Sequence, residues 1–109
     1  MTKSRKEKLD LLIKLDKART ECSWDYEHNC EYHQIKYIKR CSKIISIIDK
    51  KCDSIWNQLC KSHKVEHHFK LPLEILEYHR IGCNNNKPDK WNNYERDLER
   101  LGIKLPKRT

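Results

Sequence analysis

The chain is 109 residues long, carries 24 Lys and Arg against 16 Asp and Glu, and has a formal charge of +8. With 37% apolar residues it holds one thin core. A single domain over residues 1–109 is expected, one that leans on a metal, a partner or a second copy of itself. The apolar residues are patterned rather than scattered, which excludes a disordered chain, and no apolar run approaches the ~18 residues of a membrane span.

Only two Gly and three Pro occur, none of them before Pro72. Periodicity predicts a first helix over 4–21. Ser4 and Glu7 fit a capping box there, and Leu9, Leu12, Ile13 and Leu15 form an apolar face. The stretch TECSWDYEHNC reads as the first break, with Ser23 and Asp25 as new N-caps. A second helix is predicted over 26–63, where Cys30, Tyr37, Cys41, Ile44, Ile45, Ile48, Cys52, Ile55, Trp56 and Leu59 recur at helical spacing. Unbroken, it spans roughly 55 Å, long enough to be the spine of the fold. Pro72 opens a third helix over 72–81 and Gly82 caps it. NNNKPD is a loop. The fourth helix, 89–101, sets Trp91, Tyr94, Leu98 and Leu101 on one face and stops at Gly102. Ile103 is then placed to fold back on its last turn. No segment alternates in the manner of a strand. The predicted fold is all-α, a small bundle of about four helices around one long central helix.

The densest chemistry lies in CKSHKVEHHFKLPLEILEYHRIGC, residues 60–83. Cys60 and His63, three apart, share a helix face; His79 and Cys83, four apart, share another. The loop ending at Pro72 lets these two helices lie antiparallel. Zinc takes four N or S ligands in a tetrahedron, so Cys60, His63, His79 and Cys83 are a candidate closed, structural zinc clamp, with His67 as an alternative donor. The plainer alternative leaves the histidines solvated and the thiols buried. Cys30, Cys41 and Cys52 are eleven apart along helix two and read as small buried hydrophobes. Cys22 with Cys30, and Cys52 with Cys60, are pairs eight apart placed symmetrically about Cys41. That arrangement resembles the twin-cysteine helical hairpins of the mitochondrial intermembrane space. The resemblance implies disulfides Cys22–Cys60 and Cys30–Cys52. The chain departs from it in the spacing of each pair and in having no turn residue near Cys41 stronger than Ser42. The opening MTKSRKEKLDLL has no apolar stretch suited to export, so a cytoplasmic location is expected, that of a virus-infected host cell included, where thiols outlast disulfides.

Catalysis has little to rest on. Cys60 with His63, or Cys83 with His79, supplies the residue types of a nucleophile and base, but helical neighbours meet in this way by accident. HH followed by CNNNKPDKW is similar to the His-to-Asn order of small His-Asn-His nucleases, yet the stretch between them reads as helix where that class has a β-hairpin. No Gly-rich phosphate loop or Ser-centred elbow occurs, so the expected function is binding and not an enzymatic reaction. Charge is spread evenly, +3, +2 and +3 over residues 1–22, 23–63 and 64–109. Two local clusters stand out: Lys36, Lys39, Arg40 and Lys43 on helix two, and Lys104, Lys107 and Arg108 in the tail. Cations in such clusters neutralise phosphate, which makes these seven the candidate nucleic-acid contacts. The expected partner is nucleic acid or an acidic protein surface. The chain is then a nucleic-acid-associated accessory or regulatory factor, or a protein-binding regulator or inhibitor, such as a viral or phage factor docking on a host enzyme. The wide apolar face of helix two also suits a homodimer.

Overall fold

The structure, a computed structural model, describes residues 3–29, 35–85 and 93–107. The expectations placed on Cys30, Trp91 and Arg108, and on the side chains of Lys36 and Tyr37, lie outside what is described. Among the described residues four α-helices and one 3-10 turn follow in order: α1 Lys3–Asn29, α2 Ile35–His63, the turn His68–Lys70, α3 Leu73–Asn84 and α4 Asn93–Arg100. No strand occurs among the described residues. The molecule measures 45 × 24 × 23 Å; the 29 residues of α2 extend about 43 Å at 1.5 Å each.

The fold is all-α, as the periodicity predicts. The sequence places the spine on helix two; in the structure α1 is the helix that packs against α2, α3 and α4 alike. The reason lies in how apolar residues are spread around it. Leu9, Leu12, Leu15, Ala18 and Cys22 are buried on α1, while Leu11 and Ile13 are partly buried on other sides. A helix apolar on several sides takes several neighbours, whereas α2 carries one stripe, Cys41, Ile44, Ile48, Ile55 and Leu59. The core is completed by Leu71, Ile75, Tyr94, Leu98 and Ile103.

The first break falls later than expected. Ser23 and Asp25 are interior residues of α1 and cap nothing. Asp25 is 2% exposed and accepts a hydrogen bond from Tyr94 Oη on α4 at 3.1 Å, a buried partner that suits an inward-facing helical position better than a cap at the surface. α1 therefore runs on to Asn29, and α2 passes through Cys41 without a break. This register places Cys22 beside Cys41, whose carbonyl it reaches at 3.6 Å. Cys22, Cys52 and Cys60 are free thiols, so the twin-cysteine pairing Cys22–Cys60 does not form.

Two helix ends are closed by the same backbone device. At α4, Gly102 has φ 83°, its N–H donates to Glu99 O at 3.0 Å, and Ile103 N–H donates to Leu98 O at 3.0 Å. That is a Schellman motif, with Ile103 folded onto Leu98 in the core. At α2, Lys64 N–H donates to Lys61 O at 3.2 Å and Val65 N–H to Cys60 O at 3.0 Å. Here a lysine occupies the left-handed position, φ 57°. Gly82 is no cap: it lies within α3, which continues to Asn84. A Cβ there would sit 2.3 Å from Ile13 Cδ1 and 2.8 Å from Ile13 Cγ1, so the missing side chain lets α3 approach α1. Tyr78 Oη adds a hydrogen bond to Asp10 Oδ1 at 2.5 Å across the same contact.

Candidate functional site

Arg40 organises the polar end of the molecule. Its side chain is largely covered, and its Nη2 donates to Glu95 Oε1 on α4 at 2.5 Å while Nη1 donates to Pro106 O in the tail at 2.6 Å. One guanidinium thus ties three segments together, which a planar fork of donors does and a lysine cannot. Leu105 packs beside the core and Ile103 within it, so the tail is docked. The result is that two cationic clusters more than sixty residues apart in the chain meet on one surface. Between them lies a cleft of about 460 Å³ lined by Arg40, Arg96, Lys107, Glu95, Glu99 and the Leu105–Pro106 segment.

The predicted cations separate into two roles. Arg40 is committed to Glu95 and Pro106. Lys39, Lys43, Lys104 and Lys107 are exposed. Two more exposed lysines on α2 extend the set. Lys50 and Lys61 follow Lys43 by seven and then eleven residues, and both steps return a helix to within ~20° of the same face. Lys39 flanks this row one turn earlier. The lysines form a ridge along the side of α2 turned away from its apolar stripe, about 33 Å from Lys39 to Lys61. The described ion pairs Arg19–Asp49, Arg40–Glu95, Lys70–Glu66 and Arg80–Glu77 involve none of the four. Arg96 was not anticipated from the sequence; its signal was its place opposite Tyr94 and Leu98 on an amphipathic helix.

The Cys and His segment divides differently from the clamp expected of it. His79 Nε2 and Cys83 Sγ lie 3.4 Å apart on α3. Cys60 is 8% exposed and belongs to the core, and His63 is half-buried at the end of α2. Among the described residues no group of three or more His, Cys, Asp or Glu is placed to hold a metal ion. Burial, and then the nearby Asp16 carboxylate, push the Cys83 thiol up to about 12, while burial lowers His79 below its ordinary value. A thiol held this high stays protonated at neutral pH, so the pair presents no thiolate for attack. Burial likewise pushes Cys22 up to about 12 and Cys52 to about 11.

The histidines lead instead to an aromatic cluster. Trp56 of α2 stacks on His68 with ring centres 5.0 Å apart and meets His79 edge-on at 4.8 Å. His67, His68 and Phe69 contact one another at 4.2–4.8 Å. The His67 ring also accepts a hydrogen bond from Phe69 N–H at 3.2 Å, capping the 3-10 turn. Phe69 nevertheless stays 75% exposed and Leu73 77%.

The fold and this surface define a small basic all-helical domain with a docked tail and a lysine ridge, and no helix among the described residues is long and apolar enough to cross a membrane. Comparison with known proteins returns no matching family model, no matching curated protein and no matching solved structure.

Proposed function

We propose that this chain is a polyanion-binding factor that engages nucleic acid through the outer face of α2 and the docked tail, and that it acts by binding rather than by catalysis. The observation that carries this reading is the row of exposed lysines, Lys39, Lys43, Lys50 and Lys61, continued at the Arg40 end by Lys104 and Lys107. Cations spaced along a rigid rod neutralise successive phosphates and release their counterions, and this contribution needs no particular base sequence. Arg40 serves the reading indirectly, by holding the tail lysines beside the ridge. A titration of labelled oligonucleotides against the protein tests it. Wild type binds, and Lys39→Glu with Lys43→Glu abolishes most of the affinity while far-UV circular dichroism stays unchanged. Equal binding by both proteins overturns the reading.

A second reading, a protein-binding regulator or inhibitor that docks through the apolar residues of α3, is favoured by Leu73 and Ile81, both more than half exposed there. It predicts that the lysine variants leave partner binding intact while Leu73→Asp abolishes it. A structural zinc at Cys60, His63, His79 and Cys83 draws support from the His79–Cys83 pair and from the buried Nε2 of His63, which has no hydrogen-bond partner, and metal analysis of the purified chain decides it: one equivalent of zinc, retained on dialysis, supports the clamp.

A further inference from the structure

The geometry points to the Trp56–His68–Phe69 cluster as a stacking platform for unpaired bases, which makes a single strand the preferred nucleic acid of this chain. The inference deepens the polyanion reading and rests on it.

Four observations carry it. First, the rings form one connected set, Trp56 on His68 at 5.0 Å and His68 against Phe69 at 4.2 Å. Stacked aromatic rings offer a further ring a face of matching size and polarisability. Second, Phe69 has no role in the core. It is 75% exposed, and the 3-10 turn that presents it has no buried residue. A large apolar ring left in water on a short, hydrogen-bonded turn is a feature to be explained by what covers it. Third, charge favours one occupant. Lys61, the last lysine of the ridge, is joined to Lys64 through the backbone bond at the end of α2, and both are exposed within eight residues of Phe69. Lys70 is exposed as well, in a surface ion pair with Glu66 at 3.3 Å, a contact weak enough to yield to a phosphate. Fourth, the rings and the ridge share one helix: the 3-10 turn packs on α2, where Trp56 lies about 140° around the axis from Lys61, so a strand on the ridge reaches the rings by turning around the end of α2 past Lys64. In a duplex the base faces are hidden by stacking on their neighbours, whereas an unpaired strand turns them outward.

The test uses the full chain, a labelled oligothymidine and a duplex of the same length, each titrated at low salt. Wild type binds the single strand more tightly than the duplex. Phe69→Ala lowers single-strand affinity about tenfold and leaves duplex affinity unchanged, while Phe69→Trp restores or exceeds wild type. Because Phe69 is exposed, the melting temperature of these variants stays at the wild-type value, which separates lost stacking from lost folding. Equal binding of both nucleic acids with no effect of Phe69→Ala overturns the platform and leaves the polyanion reading standing. Loss of binding to neither nucleic acid on Lys43→Glu with Lys50→Glu, or no binding by wild type at all, overturns both. In the last case a Phe69-dependent complex with an acidic protein assigns the same surface to the regulator reading.

Discussion

Arg40 and Glu95 stand 55 residues apart in sequence and 2.5 Å apart in space, and the geometry of that one pair decides where the C-terminal tail lies. Both side chains are 17% exposed, so the pair is better protected from solvent screening than the exposed ion pairs of this chain. Arg40→Ala leaves the Glu95 carboxylate and the Pro106 carbonyl without this donor. The expected loss is about 2 kcal/mol of stability, read as a lower urea midpoint at unchanged slope. Arg40→Lys recovers little of it, because a single ammonium reaches one acceptor well and the two lie in different segments.

Gly82 and Ile13 set the approach of α3 to α1. Alanine at 82 gains about 1 kcal/mol of helix propensity, but its Cβ meets Ile13 at 2.3 Å, and overpacking of that kind costs about 1–3 kcal/mol. The stiff β-branched side chain gives way poorly. Gly82→Ala is therefore destabilising by about 1 kcal/mol on balance. Ile13→Val removes the nearest atom, so a double-mutant cycle on melting curves shows Gly82→Ala costing less in that background.

The left-handed positions at the ends of α2 and α4 respond in opposite directions. Lys64 holds φ 57° where glycine is unstrained, so Lys64→Gly stabilises by about 1 kcal/mol. Gly102 at φ 83° already has the suited residue, and Gly102→Ala destabilises by a similar amount, about 1 kcal/mol. Paired denaturation curves read both signs in one experiment.

Much of this was legible beforehand and some was not, for physical reasons. Gly102 followed by Ile103 announces its motif locally, and it formed as expected. Gly82 has the same local appearance, yet its role comes from Ile13, far away in sequence. The break near Ser23 and Asp25 looked convincing because cap residues are defined by local chemistry; burial of Asp25 against Tyr94 overrode it. The cleanest periodicity belonged to α2, and a clean stripe marks a helix with one buried side. The crowded LDLLIKL of α1 was the better sign of a helix surrounded by others. The lysine clusters were visible as clusters. Their meeting on one surface was not, since it depends on the single contact between Arg40 and the tail.

Acid weakens the junction of α2 with α3. His79 is held below its ordinary value of 6.5 by burial, against the opposing pull of Asp16, and His68 by burial and then by His67. The unfolded chain therefore binds protons on these rings before the folded chain does. Stability is intact above 6.5 and is lost as pH falls toward the lower folded values. Melting temperature drops between about pH 7 and about pH 5, and His79→Gln flattens part of that drop. A melting temperature that rises on acidification contradicts the assignment.

The claim on which the functional account depends is that lysines of α2 and the tail neutralise phosphate. The most direct measurement is the slope of log Kobs against log salt for oligothymidine, taken between about 50 and 200 mM. Contact by four to six of the exposed cations predicts a slope of about −3 to −4, made shallower by about 0.7 for each of Lys39, Lys43, Lys50 or Lys61 replaced by alanine. A slope near zero, or one that none of these replacements changes, contradicts the account.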